Sequence, residues 1–106
     1  MLVSTTNDLP GYTVTAHLGM VRGITVRSRS VIGNVGGAIQ SIFGGKLSIY
    51  VNLAEAARKE AYDLLVAHAA EQGANAILAM RYDANDIMDG ITEVLAYGTA
   101  VKAEKL

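Results

Sequence analysis

A chain of 106 residues has room for one domain, and we predict a single domain over residues 1–106. The formal net charge is −1, so nothing points to nucleic acid or anionic lipid as a partner. The absence of cysteine excludes disulfides, thiolate catalysis and thiolate metal sites, and it is consistent with a cytoplasmic protein. The apolar fraction of 51% is high for so short a chain, which suggests that sister subunits cover part of the surface.

No membrane segment is predicted. Residues 1–10 lack the basic and apolar regions of a secretory signal. The most apolar run, residues 31–51, is interrupted by glycines, by Gln40 and by Lys46, and we do not interpret it as a membrane span.

The N-terminal part of the chain is predicted to be β-structure. Residues 1–5 predict a short edge strand. Residues 12–18 alternate apolar and polar side chains, which is the period of a strand. The consecutive apolar residues Met20 and Val21 indicate a β-bulge, beyond which the strand resumes.

Two helices are predicted next, a short one over residues 31–43 and a long one over residues 47–72. Gly33 and Gly37 leave one face of the short helix as bare backbone. Gly73 ends the long helix, because glycine adopts a left-handed conformation without a Cβ penalty. The predicted inner face of the long helix repeats at three and four residues and consists of Tyr50, Leu53, Ala54, Ala57, Ala61, Leu64, Leu65 and His68.

Residues 75–83 and 91–102 predict a β-hairpin, with turn residues at Asn85, Asp86, Asp89 and Gly90. In the first strand, Ala76, Leu78, Met80 and Tyr82 are expected to alternate with Ile77, Ala79, Arg81 and Asp83, and both faces are apolar at its start. The second strand has one face of small residues, which suits the alanine-rich helix: Thr92, Val94, Ala96, Gly98 and Ala100. Its large residues face away, with no second long helix to cover them: Ile91, Leu95, Tyr97 and Val101.

The predicted fold class is α+β. We expect a two-layer α/β unit in which an antiparallel sheet of about three main strands packs on one long helix. The elements follow one another in the order β-α-α-β-β.

Several motifs together resemble the YbjQ-like family of small uncharacterised bacterial proteins. They are PG at 10–11, LGMVRG at 18–23, GG at 44–45, GANAI at 73–77, RY at 81–82 and EVLAYGTAV at 93–101, with Tyr50, Leu53, Ala57 and Arg58. The resemblance implies a subunit like that of dodecin and a ring of identical subunits, with five the expected number. Some members are labelled heavy-metal-binding. One departure is Ala84-Asn85, where members often carry a Thr-Ser pair.

The candidate ligand-binding residues are Arg22, Arg81, Tyr82, Tyr97 and Glu93. Arginines on neighbouring strands, including Arg27 and Arg29, would receive an anion if the sheet brings them together. The alternative, which we favour by about two to one, is ion pairing with carboxylates of a neighbouring subunit. The tyrosines suit either a cleft or a subunit contact.

Metal candidates are weak. His17 and Met20 gain interest only if symmetry gathers several copies around an axis. His68 is predicted to be a packed, hydrogen-bonded residue. The acidic residues around the hairpin turn do not fit a calcium-binding EF-hand, because Ile87, Met88 and Val94 stand at the fifth, sixth and twelfth positions counted from Asp83.

Three functions from different classes are compatible with these residues. We favour a non-enzymatic homo-oligomer that binds a small molecule or an ion between subunits. A metal-binding or heavy-metal-handling protein is second. An enzyme with an active site shared between subunits is third, using Arg22 or Arg81 with Asp83 or Glu93. No catalytic residue and no cofactor is assigned.

Overall fold

The computed structural model describes residues 1–28 and 46–106. The elements in chain order are β1 (Leu2–Val3), β2 (Tyr12–Ser28), α1 (Lys46–Glu71), β3 (Ala76–Met88) and β4 (Ile91–Lys105). The predicted long helix and hairpin are therefore confirmed, and β1 confirms the predicted edge strand. The short helix predicted over residues 31–43 and the candidate Arg29 lie outside the described residues.

The sheet has four strands in the order β1-β3-β4-β2. Strands β2 and β3 both run antiparallel to β4, whereas β1 runs parallel to β3. The α+β class is confirmed. The sheet is four-stranded and mixed, because the short edge strand β1 adds a parallel neighbour to three main antiparallel strands, where the sequence predicts an antiparallel sheet of about three main strands.

The helix lies against the sheet at Gly23 on β2. A Cβ atom at this glycine would stand 2.0 Å from the carbonyl oxygen of Ala61 and 2.4 Å from the amide nitrogen of Leu65. The helix backbone therefore touches the strand backbone, which only glycine on one side and alanine on the other permit. The buried stripe of the helix consists of Ala57, Ala61, Leu65 and Ala69.

The predicted inner face of the helix is too wide. Tyr50, Ala54 and Leu64 are exposed among the described residues. Because the contact at Gly23 is so close, only a stripe with four-residue spacing is buried against the sheet.

A bulge at Ala79 contradicts the predicted alternation of β3. Its φ is 53°, and the register with β4 jumps from Leu78 opposite Thr99 to Arg81 opposite Tyr97. Ile77 and Met80 consequently both face the helix, and Arg81 turns to the opposite face. The sequence does not reveal this register shift, because residues at the start of the stretch 76–83 are apolar on both faces and give no signal of which face is buried.

Gly98 on β4 makes room for that bulge. A Cβ atom there would lie 2.6 Å from Cγ2 of Ile77 and 2.9 Å from the carbonyl oxygen of Leu78. Strand β2 is bulged as well, with register shifts between Val14 and Ala16 and between His17 and Gly19. The prediction that β2 is bulged is therefore confirmed, but the register shifts lie a few residues before Met20 and Val21.

The hairpin is longer than predicted. Asn85 and Asp86 belong to β3, and the turn is confined to Asp89 and Gly90, whose φ is 81°. The polar side chains are used along the ladder: the Thr92 hydroxyl donates to Oδ1 of Asp86 at 3.0 Å. These residues therefore extend the strand rather than form the turn.

The two faces of the sheet are covered unequally. The helix covers one face over Val21, Ile77, Ala96 and Ala100. The opposite face, which we call the open face, is covered at one end by Leu9, Tyr12 and Val14 over a cluster of Ala76, Leu78, Val101 and Ala103. The radius of gyration is 17.1 Å, against about 13 Å for a compact chain of this length, so the subunit is elongated.

Candidate functional site

Three candidate residues lie in one row across the open face. Arg22 on β2 stands opposite Tyr97 on β4, and Tyr97 stands opposite Arg81 on β3. Neighbouring strands are about 4.8 Å apart, so the Cα atoms of the two arginines are separated by roughly 10 Å, with the tyrosine between them. We call these three residues the arginine row. The strand register brings together residues that lie far apart in the chain.

The two arginines of the row differ in how they are held. Nη1 of Arg81 donates to the carbonyl oxygens of Thr5, at 2.8 Å, and Met80, at 2.9 Å, which fixes the guanidinium against the N-terminal segment. Arg22 is exposed, and its side chain makes no hydrogen bond to any described residue. The guanidinium of Arg81 is thus anchored, whereas that of Arg22 is free to move towards a bound anion.

A cavity of about 290 Å³ adjoins the row and is lined by Met20, Arg22, Asp83, Leu95 and Tyr97. It combines a guanidinium, a phenol ring and a carboxylate with two apolar side chains. The Asp83 carboxylate is partly occupied, because Oδ1 accepts from the amide of Ala84 at 3.0 Å and Oδ2 accepts from the Asn85 side chain at 3.1 Å. The side chains that line the cavity thus carry one positive charge, on Arg22, and one negative charge, on Asp83.

Glu93 lies on the same face but nearer the turn. It stands opposite Val26 on β2 and Asn85 on β3, which is two rows beyond the arginine row. Leu95, which the sequence did not nominate, lies between them. The signal for Leu95 was present, because residues two apart on a strand share a face and Leu95 is two residues from Tyr97.

Tyr82 lies on the helix side of the sheet and is separate from the other ligand candidates. The guanidinium carbon of Arg58 lies 5.7 Å from the centre of its ring. Burial, and to a lesser extent the neighbouring Tyr62, raise the pKa of Tyr82 above its usual value. An open cleft of about 560 Å³ on that side is lined by Glu55, Arg58, Lys59, Tyr62, Asp63 and Tyr82.

Arg27, another arginine considered for anion binding, pairs within its own chain. Its Nη2 lies 2.6 Å from Oε2 of Glu60 on the helix. The hydrogen bond from Arg27, supported by one from the buried Thr25, holds the pKa of Glu60 below its usual value. This pair ties the far end of β2 to α1 on the helix side of the sheet, whereas the arginine row lies on the open face.

The metal candidates do not form a site within the described part of the subunit. His17 and Met20 are exposed and stand opposite Val101 and Thr99 on β4. Among residues 1–28 and 46–106, no group of three His, Cys, Asp or Glu side chains could hold a metal ion.

His68 is hydrogen-bonded as predicted. Its Nδ1 accepts from the backbone N–H of Arg22 at 3.1 Å. The helix thereby contacts the backbone of β2 directly beside the arginine row. Among the described residues, no helix is long and apolar enough to cross a membrane.

The described residues define a class of protein: an α+β subunit in which one long helix covers one face of a four-stranded sheet. In this part of the chain, much of the other face, with its row of cationic and aromatic residues, is exposed. The chain belongs to the YbjQ_1 family, described as "Putative heavy-metal-binding", whose sequence model matches residues 1–104.

Relatives agree with that assignment. A UPF0145 protein of Paraburkholderia phymatum is 61% identical over 104 residues, covering 98% of this chain and 94% of the relative. A UPF0145 protein of Chromobacterium violaceum is 57% identical over 105 residues, covering 99% and 90%. A crystal structure of a DUF74-family protein of unknown function from Pediococcus pentosaceus matches the fold with a TM-score of 0.63 at 18% identity, covering 98% of each chain.

Proposed function

We propose that the protein is a non-enzymatic homo-oligomer that binds a small anionic molecule between subunits, at the arginine row. The single observation that carries this proposal is the register that aligns Arg22, Tyr97 and Arg81 on the open face. Two guanidinium groups on either side of an aromatic ring suit a carboxylate or phosphate group, because each fork binds such oxygens in a bidentate manner.

Three observations support self-association. Apolar side chains are exposed on the open face, with Met20 at 71%, Val26 at 50% and Ile24 at 40%. The subunit is elongated, and its hairpin residues 81–89 are all exposed. Exposed apolar surface of this kind usually marks an interface. The resemblance to YbjQ-like proteins implies a closed ring of five, and we adopt that assembly in the proposal.

A ligand between subunits also explains why the site is incomplete in one copy. The cavity beside Arg22 is open to solvent, and a small-molecule site normally encloses most of its ligand. A second copy on the open face would provide the missing wall. We further infer a cytoplasmic location from the absence of cysteine.

Native mass spectrometry of freshly purified, untagged protein tests both parts of the proposal. We expect an oligomer, and we expect a retained anionic mass or a mass gained on adding inorganic pyrophosphate. The double variant Arg22→Gln/Arg81→Gln should bind the anion at least about tenfold more weakly, since each charge-assisted contact contributes about 1.5–3 kcal/mol. Arg58→Gln is the matched control, because it removes one guanidinium on the helix side.

The family description gives metal binding as the second candidate. In a ring, His17 and Met20 from several subunits would have to supply the ligands together. Metal analysis of the same oligomer before and after soaking with a divalent cation separates the two candidates. Stoichiometric metal that is lost in the His17→Ala variant, with no anion retained, would favour metal binding over our proposal.

A further inference from the structure

The free edge of β2 is divided into a protected part and an unprotected part. Among the described strands, β2 is the last in the sheet, so one row of its backbone groups faces away from β4. In its first part, the two register shifts interrupt the edge, and Gly19 has a φ of 100°. Bulges of this kind prevent edge-to-edge pairing with other chains.

His68 marks the end of the protected part of the β2 edge. Because the Arg22 amide donates to His68, it points away from β4, and Arg22 and Tyr97 form a non-hydrogen-bonded pair. The alternation of an antiparallel ladder then places the amides of Ile24 and Val26 on the same free edge. Beyond His68 no bulge interrupts the register as far as Ser28.

The side chains of the unprotected part are apolar where an isolated edge strand would carry charge. Ile24 and Val26 are exposed on the open face. Leu64, on the helix one turn before His68, is 45% exposed. Arg27 is the charged residue of this stretch, and it is already paired with Glu60. A natural edge strand with no protective device is a template for strand pairing.

The chain carries a second free edge that fits this template. Strand β1 pairs with β3 only at Ala76 and Ile77, so the far part of β3 has no neighbour on that side among the described residues. The register places the amides of Tyr82, Ala84 and Asp86 on this edge. The Ala84 amide donates to the Asp83 carboxylate instead of to β4, which agrees with that placement.

We propose that a second copy of this chain pairs the far part of its β3 with β2 beyond Arg22, and that His68 fixes where this intersubunit ladder ends. The proposal rests on the oligomer proposed above and names its contact. Strands β2 and β3 run in the same direction, since both are antiparallel to β4. A rotation about an axis along the strands therefore brings them together as a parallel pair, and repetition of such a head-to-tail contact closes a ring.

Amide hydrogen exchange of the assembled protein provides the first test. Amides that are hydrogen-bonded to a neighbouring strand exchange slowly, whereas amides on a free edge are exposed to solvent and exchange fast. We expect the amides of Ile24 and Val26 to exchange at least about tenfold more slowly in the assembly than in subunits separated by dilution.

Variants of the edge provide the second test. Val26→Lys places a charge on the unprotected part and should raise the dissociation concentration, measured by sedimentation, by about tenfold or more. Thr13→Lys is the matched control, because it adds the same charge to an exposed position in the protected part. Val26→Pro tests the amide itself, since that N–H points away from β4 and its loss leaves the internal ladder intact.

His68→Ala tests the end of the ladder. Removing the imidazole frees the Arg22 amide, so in this variant we expect that amide to exchange slowly in the assembly and fast in separated subunits. In wild type, and in the control His17→Ala, the amide is hydrogen-bonded to His68 in both states. An oligomer in which Ile24 and Val26 exchange as fast as in separated subunits would overturn this inference but leave the proposed function standing. A wild-type chain that sediments as a monomer at micromolar concentration would overturn both.

Discussion

The two halves of the β3–β4 hairpin differ in composition as well as in surroundings, because charged residues are concentrated in the half nearer the turn, at Arg81, Asp83, Asp86 and Glu93. In the closed half, defined by residues 76–80 of β3 and 98–103 of β4, the helix covers one face and the N-terminal turn covers the other. In the open half, residues 81–88 and 91–97, every residue of β3 is exposed. Within residues 1–28 and 46–106, the core is therefore complete at one end of the long hairpin and open at the other.

The largest effect is expected from paired leucine truncations. Leu65 is fully buried in the core between the helix and the sheet, and Leu95 is half-buried on the open face. Leu65→Ala should lower the free energy of unfolding by about 2–5 kcal/mol, because it leaves a cavity in a packed core. Leu95→Ala should cost the isolated subunit less than about 1.5 kcal/mol.

Urea unfolding of both variants, at a concentration where wild type is dissociated, makes this measurement. The same two variants studied as assemblies sharpen the comparison, since Leu95→Ala should then weaken association. Equal losses from the two truncations in separated subunits would show that the open half is as well packed as the closed half.

A second pair compares two asparagines. Asn75, at the start of the closed half, accepts from the amide of Ala103 and donates to its carbonyl oxygen, both at 2.8 Å. Its side chain therefore continues the ladder where β3 has not yet begun. Asn75→Ala should cost about 1–3 kcal/mol, because both backbone groups of Ala103 lose their partner.

Asn85→Ala is the control for that change, because the side chain of Asn85 donates only to Asp83 in the exposed half. We expect a change within about 0.5 kcal/mol, as for most surface substitutions. Thermal unfolding followed by circular dichroism compares the two. A smaller loss from Asn75→Ala than from Asn85→Ala would refute the ladder role of Asn75.

The sequence predicts the closed half far better than the site. Helical periodicity and Gly73 locate α1, and alternation locates the hairpin, because both signals are local. The face on which Arg81 lies depends instead on the bulge at Ala79, where a non-glycine residue adopts a positive φ. Nothing in the residues 76–83 requires that conformation locally; the tight approach of Ile77 to Gly98 across the ladder accompanies it.

The arginine row illustrates the same limit. Arg22, Tyr97 and Arg81 were each nominated from the sequence, but their alignment depends on the registers of two strand pairs. Tyr82 was nominated with them and lies on the other face, because it follows Arg81 directly. Register depends on the helix contact at Gly23 and on the register shifts within β2 and β3, which are tertiary features.

The smallest predicted effect concerns the one described ion pair that joins the helix to the far end of β2. The pKa of Glu60 is lowered by its hydrogen bonds from Arg27 and Thr25, so the carboxylate binds its proton less readily in the folded state than in the unfolded state. Its contribution to stability is therefore fully present above the unfolded pKa, near 4.5, and is lost as the pH falls through the lower folded value. Because the pair is solvent-exposed, the effect is small and screened by salt.

Glu60→Gln should remove this component, so that urea midpoints of wild type and variant differ at pH 6 and converge toward pH 3. Glu71→Gln, at the other end of the helix, should show no such convergence. If the urea midpoints of wild type and Glu60→Gln differ by the same amount across this pH range, Arg27 does not stabilise the ionised carboxylate. The far end of β2 would then be held to the helix by packing alone.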